Sequence, residues 1–143
     1  MKINGIEKIK TVLNQYGFRA TEQRMELMVI LSANHKPITL KEILKKMKGN
    51  TIHEVTLYRI LASFKEAGLV RQVDLQDTVP YFELVDEEND HHHIICTNCK
   101  KVSDFVGCEV ATLAKSALLQ AKDFKSISTH SFELFGLCNK CSK

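Results

Sequence analysis

Two pairs of cysteines bracket the last third of the chain, Cys96-Thr97-Asn98-Cys99 and Cys138-Asn139-Lys140-Cys141. A Cys-x-x-Cys turn holds two sulfurs close enough to share one cation. Two such turns complete the four-thiolate shell of a closed, tetrahedral structural zinc site. Unrelated thiols or disulfides are the alternative. The opening residues Met1-Lys2-Ile3-Asn4 lack the apolar core of a secretory signal, and no apolar run approaches the ~20 residues of a membrane span. The expectation is a cytoplasmic protein with no membrane partner, whose thiols stay reduced and bind metal. The fifth cysteine, Cys108, reads as a small apolar residue. Just upstream of the first pair, Asp90-His91-His92-His93 suggests a second metal, one that senses rather than staples.

Charge divides the chain as sharply as the cysteines do. Residues 1–73 hold 13 Lys/Arg against 6 Asp/Glu, and residues 74–143 hold 7 against 11. A basic first half points to a polyanion; an acidic second half rich in His and Cys points to cations.

The first half reads as helices. Ile6, Ile9, Leu13 and Tyr16 keep the spacing of an amphipathic helix that Gly17 stops. Thr21 caps a second helix with Met25, Met28 and Val29 inward. After the loop at residues 33–37 come two capping boxes, Thr39 with Glu42 and Thr51 with Glu54. The last helix, residues 52–67, turns Leu57, Ile60, Leu61 and Phe64 inward and ends at Gly68. Its other side offers Thr56, Arg59 and Ser63, sizes that suit base edges and phosphates. Strand-like runs at 69–75 and 79–85, joined by Gln76-Asp77-Thr78, close the pattern of a winged helix-turn-helix. A protein-interaction module is the bland alternative for such a three-helix domain.

Four motifs in this order and spacing carry a resemblance that spans nearly the whole chain. They are Arg19-Ala20-Thr21-Glu22-Gln23-Arg24, Glu54-Val55-Thr56-Leu57-Tyr58-Arg59, residues 91–99 from His91 to Cys99, and residues 136–141 from Gly136 to Cys141. The chain resembles the ferric uptake regulator family of dimeric, metal-responsive DNA-binding regulators, usually repressors that bind their operators when loaded with metal. The resemblance implies an α+β protein. An N-terminal winged helix-turn-helix domain, 1–86, would precede a small α/β metal-binding dimerisation domain, 87–143, with the four-cysteine zinc site. Double-stranded operator DNA would be the partner of a homodimer, with no small-molecule substrate and no enzymatic activity. Thr56, Tyr58 and Arg59 match the recognition-helix motif. Arg24 resembles a phosphate contact, and Arg19 the basic residue that enters the narrow minor groove of A·T-rich DNA.

In the second domain, residues 94–95 and 101–105 read as strands, 108–121 as a helix and 124–137 as a long strand. Val110, Leu113, Ala117 and Leu118 form a core-facing stripe on the helix. The long strand alternates imperfectly, as expected of one partly buried on both faces at a dimer interface. The family's regulatory metal site matches Glu83, His91, His93 and Asp104. His91 and His93 are two apart, so on an extended strand both rings leave one face. Family members add a histidine from the loop after the second helix. His35 stands there, about two positions off register and beside Pro37. A further site of some members matches Asp90, His92, Glu109 and His130. Zinc-uptake regulators tend to place cysteine where Glu83 stands, and peroxide sensors aspartate. Glutamate, histidine and aspartate form a nitrogen–oxygen set suited to Fe2+, with Zn2+ or Mn2+ as alternatives.

Two rivals come from other classes. A metal-dependent hydrolase would need an open metal, but His53-Glu54 is followed by Leu57, so no His-Glu-x-x-His motif forms, and no phosphate loop or nucleophile elbow appears. A zinc-ribbon interaction module without DNA leaves the basic helix face unexplained.

Overall fold

The computed structural model describes residues 5–34, 36–48, 52–86, 91–107, 109–128 and 130–142. The expectations for Thr51, His35, Asp90 and Cys108 fall outside these residues. The chain divides into two compact units, Met1–Glu88 and Asn89–Lys143.

In the first unit, local sequence signals become helices. Helix α1 (Ile6–Gln15) buries Ile9 and Leu13 and is followed by Gly17 at φ +78°. Ile6, expected inward, is exposed in the first turn. Helix α2 (Glu22–Ala33) starts where the Thr21 hydroxyl accepts from the Arg24 backbone N–H at 3.5 Å. Its buried side is Leu27, Met28, Ile30 and Leu31. Met25 is only half-buried and Val29 is exposed, so the inward stripe is rotated from the one the sequence suggests.

Strand β1 (Ile38–Thr39) leads into helix α3 (Leu40–Lys46) through a complete capping box. The Thr39 hydroxyl accepts from the Glu42 N–H at 3.2 Å, and the Glu42 carboxylate accepts from the Thr39 N–H at 2.7 Å. Helix α4 (Glu54–Glu66) buries Leu57, Ile60, Leu61 and Phe64, as its spacing predicts. Its N-cap is His53, with no side-chain cap bond, and Glu54 opens the helix.

The hairpin β2 (Val70–Val73) and β3 (Tyr81–Leu84) is the wing, two shorter strands than the runs at 69–75 and 79–85. Strand β1 pairs with β3, giving an antiparallel sheet in the order β1-β3-β2. Phe18 stacks on Phe64 with ring centroids 4.8 Å apart, joining the α1–α2 connection to α4. These contacts belong to one apolar cluster that fixes α4 against the wing strands.

The second unit has a different economy. Strands β4 (His92–Cys96), β5 (Val102–Phe105) and β6 (Glu133–Gly136) form a sheet in the order β5-β4-β6, with β4 antiparallel to β5 and parallel to β6. Of the long strand expected at 124–137, only Glu133–Gly136 is strand among the described residues. Helix α5 (Val110–Gln120) has no buried residue. Leu113, assigned to the core by periodicity, is 63% exposed, while Val110, Ala117 and Leu118 are half-buried. Periodicity reports an apolar face, and among the described residues this one is covered only in part.

The capping box supports both the start of α3 and the end of β1. Thr39→Ala should lower stability by roughly 0.5–2 kcal/mol, measured by urea denaturation. An unchanged midpoint would show the box to be ornamental.

Candidate metal centre and nucleic-acid interface

The parallel pairing of β4 with β6 brings the two Cys-x-x-Cys turns together. Cys96 lies opposite Gly136 in register, and Thr97 N–H donates to the Gly136 carbonyl at 2.8 Å. The first turn closes when Lys100, in a left-handed conformation at φ +59°, donates its N–H to the Cys96 carbonyl at 3.0 Å. The second closes with Cys141 N–H on the Cys138 carbonyl at 2.8 Å. All four sulfurs lie within 4.8 Å of one another.

Cys99 Sγ and Cys138 Sγ are 3.7 Å apart. That is too far for a disulfide, and it matches the edge of about 3.8 Å that zinc–sulfur bonds of about 2.3 Å give a tetrahedron. Cys138 N–H donates to Cys96 Sγ at 3.4 Å. Backbone N–H donors, Cys138 first and Cys99 next, hold the Cys96 thiol down to about 6. The Cys138 thiol is also lowered, chiefly by the Lys140 N–H. Cys141 is pushed up to about 12, first by its hydrogen bond with Cys138 and then by that with Cys99. Four sulfurs this close cannot all ionise without a cation among them. The donor set, the spacing and the closed shell fit structural zinc.

On the same sheet, His93 is buried and its Nδ1 lies 3.1 Å from Asp104 Oδ1, the residue opposite it on β5. A ring whose Nδ1–H is donated to a carboxylate presents its lone pair on Nε2, the arrangement that orients metal-binding histidines. The His91 ring packs edge-on to it, 5.1 Å between centroids. His92, between them in sequence, points to the other face, against His130 at 5.3 Å and the rings of Phe105 and Phe132, each at 5.5 Å. His92 and His130 therefore meet. Glu109, at the N-cap of α5, forms no three-ligand cluster with them among the described residues.

In the first unit, Glu83 is buried on β3, and its carboxylate accepts from Arg71 Nε at 2.6 Å across the wing hairpin. Sequence reading singled out Glu83 and missed Arg71. The signal was the hairpin register, which sets the two residues directly opposite each other.

The outer side of α4 presents Thr56, Tyr58 and Arg59 to solvent. Tyr58 is 56% exposed, standing over a shallow groove lined by Ala62, Lys65, Gln72, Pro80 and Phe82. Ser63 does not belong to this face: it is half-buried and its hydroxyl donates to the Ile60 carbonyl at 2.8 Å. Arg19 is exposed. Arg24 is half-buried, its guanidinium 5.3 Å from the Phe18 ring centroid and donating to the Arg19 carbonyl at 3.2 Å, which holds the two arginines near each other.

A sequence model of the Ferric uptake regulator family matches residues 15–135. The Peroxide operon regulator of Bacillus subtilis (strain 168) is 30% identical, with 100% of this chain and 97% of that protein covered. Among solved structures, the Vibrio cholerae ferric uptake regulator is 26% identical over 90% of this chain and 98% of that one, with a TM-score of 0.70. A ferric uptake regulator from Francisella tularensis, solved with iron, is 25% identical over 89% and 96%, with a TM-score of 0.71.

The zinc assignment has a direct check. Cys99→Ser should release one tightly held zinc per chain and lower the melting temperature of the second unit, because thiolate–zinc binding is coupled to folding. Elemental analysis and a thermal melt measure both, and retained zinc with an unchanged melt would overturn it.

Proposed function

The chain belongs to the ferric uptake regulator family, and we propose that it is a dimeric repressor of metal-homeostasis genes that binds its operator when loaded with ferrous iron. The observation that carries DNA binding is the exposed Thr56, Tyr58 and Arg59 face of α4, a helix locked by its buried side into the winged helix-turn-helix core. In this reading the first unit reads DNA and the second holds zinc and the dimer interface. Tyr58 and Arg59 contact bases and phosphates. Arg24 contacts a phosphate, and Arg19 enters the minor groove.

The regulatory ion is assigned to Glu83, His91, His93 and Asp104, with His35 as a further candidate. The oriented His93 ring and the hard carboxylates favour ferrous iron, with manganous or zinc ion as alternatives. When bound, the ion would supply one positive centre shared by these carboxylates and imidazoles. Linking residues of both units, it would restrict their relative angle and so set the spacing of the two recognition helices in a dimer. Asp90, His92, Glu109 and His130 remain the candidate for a further site, for which the meeting of His92 and His130 is the support.

The exposed apolar side chains of the second unit, Leu113, Phe124 and Leu137 among them, support its role as the dimer face. A second reading, a peroxide-responsive repressor, is favoured by the B. subtilis relative. Glutamate at position 83, where such sensors tend to carry aspartate, speaks for the first. The cytoplasm is the compartment where operator DNA and reduced thiols coexist, and among the described residues no helix is long and apolar enough to cross a membrane.

Two outcomes follow from this reading. Arg59→Ala should weaken specific operator binding by about 1–3 kcal/mol, while wild-type affinity should fall steeply with added salt as counterions are released. Gel-shift titrations at several salt concentrations measure both, and salt-insensitive binding would point to the interaction-module rival. His91→Ala and Glu83→Ala should each keep the four-cysteine zinc yet lose metal-dependent operator binding. The check is operator affinity titrated with ferrous, manganous and zinc ions, with and without peroxide. Variants that respond like wild type would move the sensor to His92 and His130.

A further inference from the structure

Glu83 is already engaged before any ion is considered. Arg71 on β2 and Glu83 on β3 are direct cross-strand partners, with Nε 2.6 Å from Oε1. The acid side chain is 6% exposed and the arginine side chain 31%. A carboxylate this deeply buried is costly unless a cation or hydrogen-bond donors neutralise it. Arginine is the residue suited to that task, since it stays charged under all ordinary conditions. The contact lies within one hairpin, so it forms whenever the first unit folds.

We infer that Arg71 is an intramolecular competitor of the regulatory ion for Glu83, and that it sets the metal concentration at which the site fills. This rests on the assignment of Glu83 as a metal ligand. Two cations contend for one buried anion. A dication approaching Glu83 is repelled by the adjacent guanidinium, and it must either displace Arg71 or share the carboxylate with it. Because Arg71 is tethered opposite Glu83, its effective concentration is fixed by the fold and does not vary with cell conditions. The competitor therefore raises the filling threshold by a constant factor, while helping to neutralise a buried charge in the metal-free protein. A purely architectural cross-strand pair would behave otherwise. Its loss would leave metal affinity unchanged, or weaken it by loosening β3.

The test uses the full-length, zinc-loaded protein and manganous ion as an air-stable probe. Affinity is measured by calorimetry in mildly alkaline buffer, where carboxylates are ionised. Arg71→Met should bind manganous ion roughly tenfold more tightly than wild type, through removal of one nearby positive charge. Arg71→Lys, which keeps the charge, should stay near the wild-type value. Arg71→Gln, milder than Met, serves if the Met variant does not fold, as judged by circular dichroism and zinc content. Glu83→Gln should bind weakly, with or without Arg71. A folded Arg71→Met or Arg71→Gln protein with unchanged or weaker affinity overturns the competition while leaving Glu83 as a ligand. Wild-type affinity in Glu83→Gln instead removes Glu83 from the site, and the assignment of the regulatory ion fails with it.

Discussion

Coordination by Cys96, Cys99, Cys138 and Cys141 takes over in the second unit the role that apolar burial plays in the first. Among the described residues of that unit, the buried side chains are Ile95, Cys96, Val102, His92 and His93. So small a core cannot offset the conformational entropy of ordering the unit. A zinc ion on four thiolates contributes folding energy directly, because the site does not pre-exist in the unfolded chain. Its geometry also fixes the sheet. The two turns can share an ion only if β6 runs parallel beside β4, and that pairing keeps β4, with His92 and His93, between two neighbours. A strand held on both edges in turn gives His92 and His93 fixed directions.

Apolar surface tells the complementary story. Leu113 and Leu119 on α5, Phe124 after it and Leu137 past β6 all stand in solvent in the single chain. Single exposed apolar residues are ordinary, and those of this unit gain significance only beside its small buried core. A second copy of the chain would bury them, in keeping with the proposed homodimer. The first unit shows the contrast, its helices closing on Leu13, Leu27, Leu57 and Phe64 without help.

What the sequence made legible was what local chemistry decides. The Thr39–Glu42 box, the Thr21 cap, the glycine after α1 and the buried stripe of α4 depend on residues within one turn of each other. The zinc ligands were legible because their spacing is a chemical requirement of the ion. Non-local pairing was not. Strand β1 is two residues long and exists because Ile38 and Thr39 find Phe82 and Tyr81. The expected strand at 124–137 contracts to β6, since among the described residues only Glu133 to Gly136 meet β4. The α5 stripe was real as a pattern but wrong as a statement of burial, because periodicity marks an apolar face and not what packs on it. Arg71 stayed hidden for the same reason as β1: its meaning appears only once the hairpin register is known.

That hidden pair bears on how a switch of this kind is tuned. An ion can favour one arrangement of a protein only through its differential affinity for the two. Operator DNA must in turn tighten metal binding by the same factor by which metal tightens DNA binding. If Glu83 holds the proposed ion, a competitor confined to one hairpin would be present in both arrangements, free and DNA-bound. If its contact with Glu83 is equally strong in each, it raises the metal threshold in both by the same factor and cancels from the coupling. Threshold and coupling then become separable properties, the first set by the charge facing Glu83 on β2, the second by the ligands that differ between arrangements. Substitutions at position 71 would move the concentration at which the regulator responds without altering how strongly it responds, whereas substitutions at His91 or His93 would alter both.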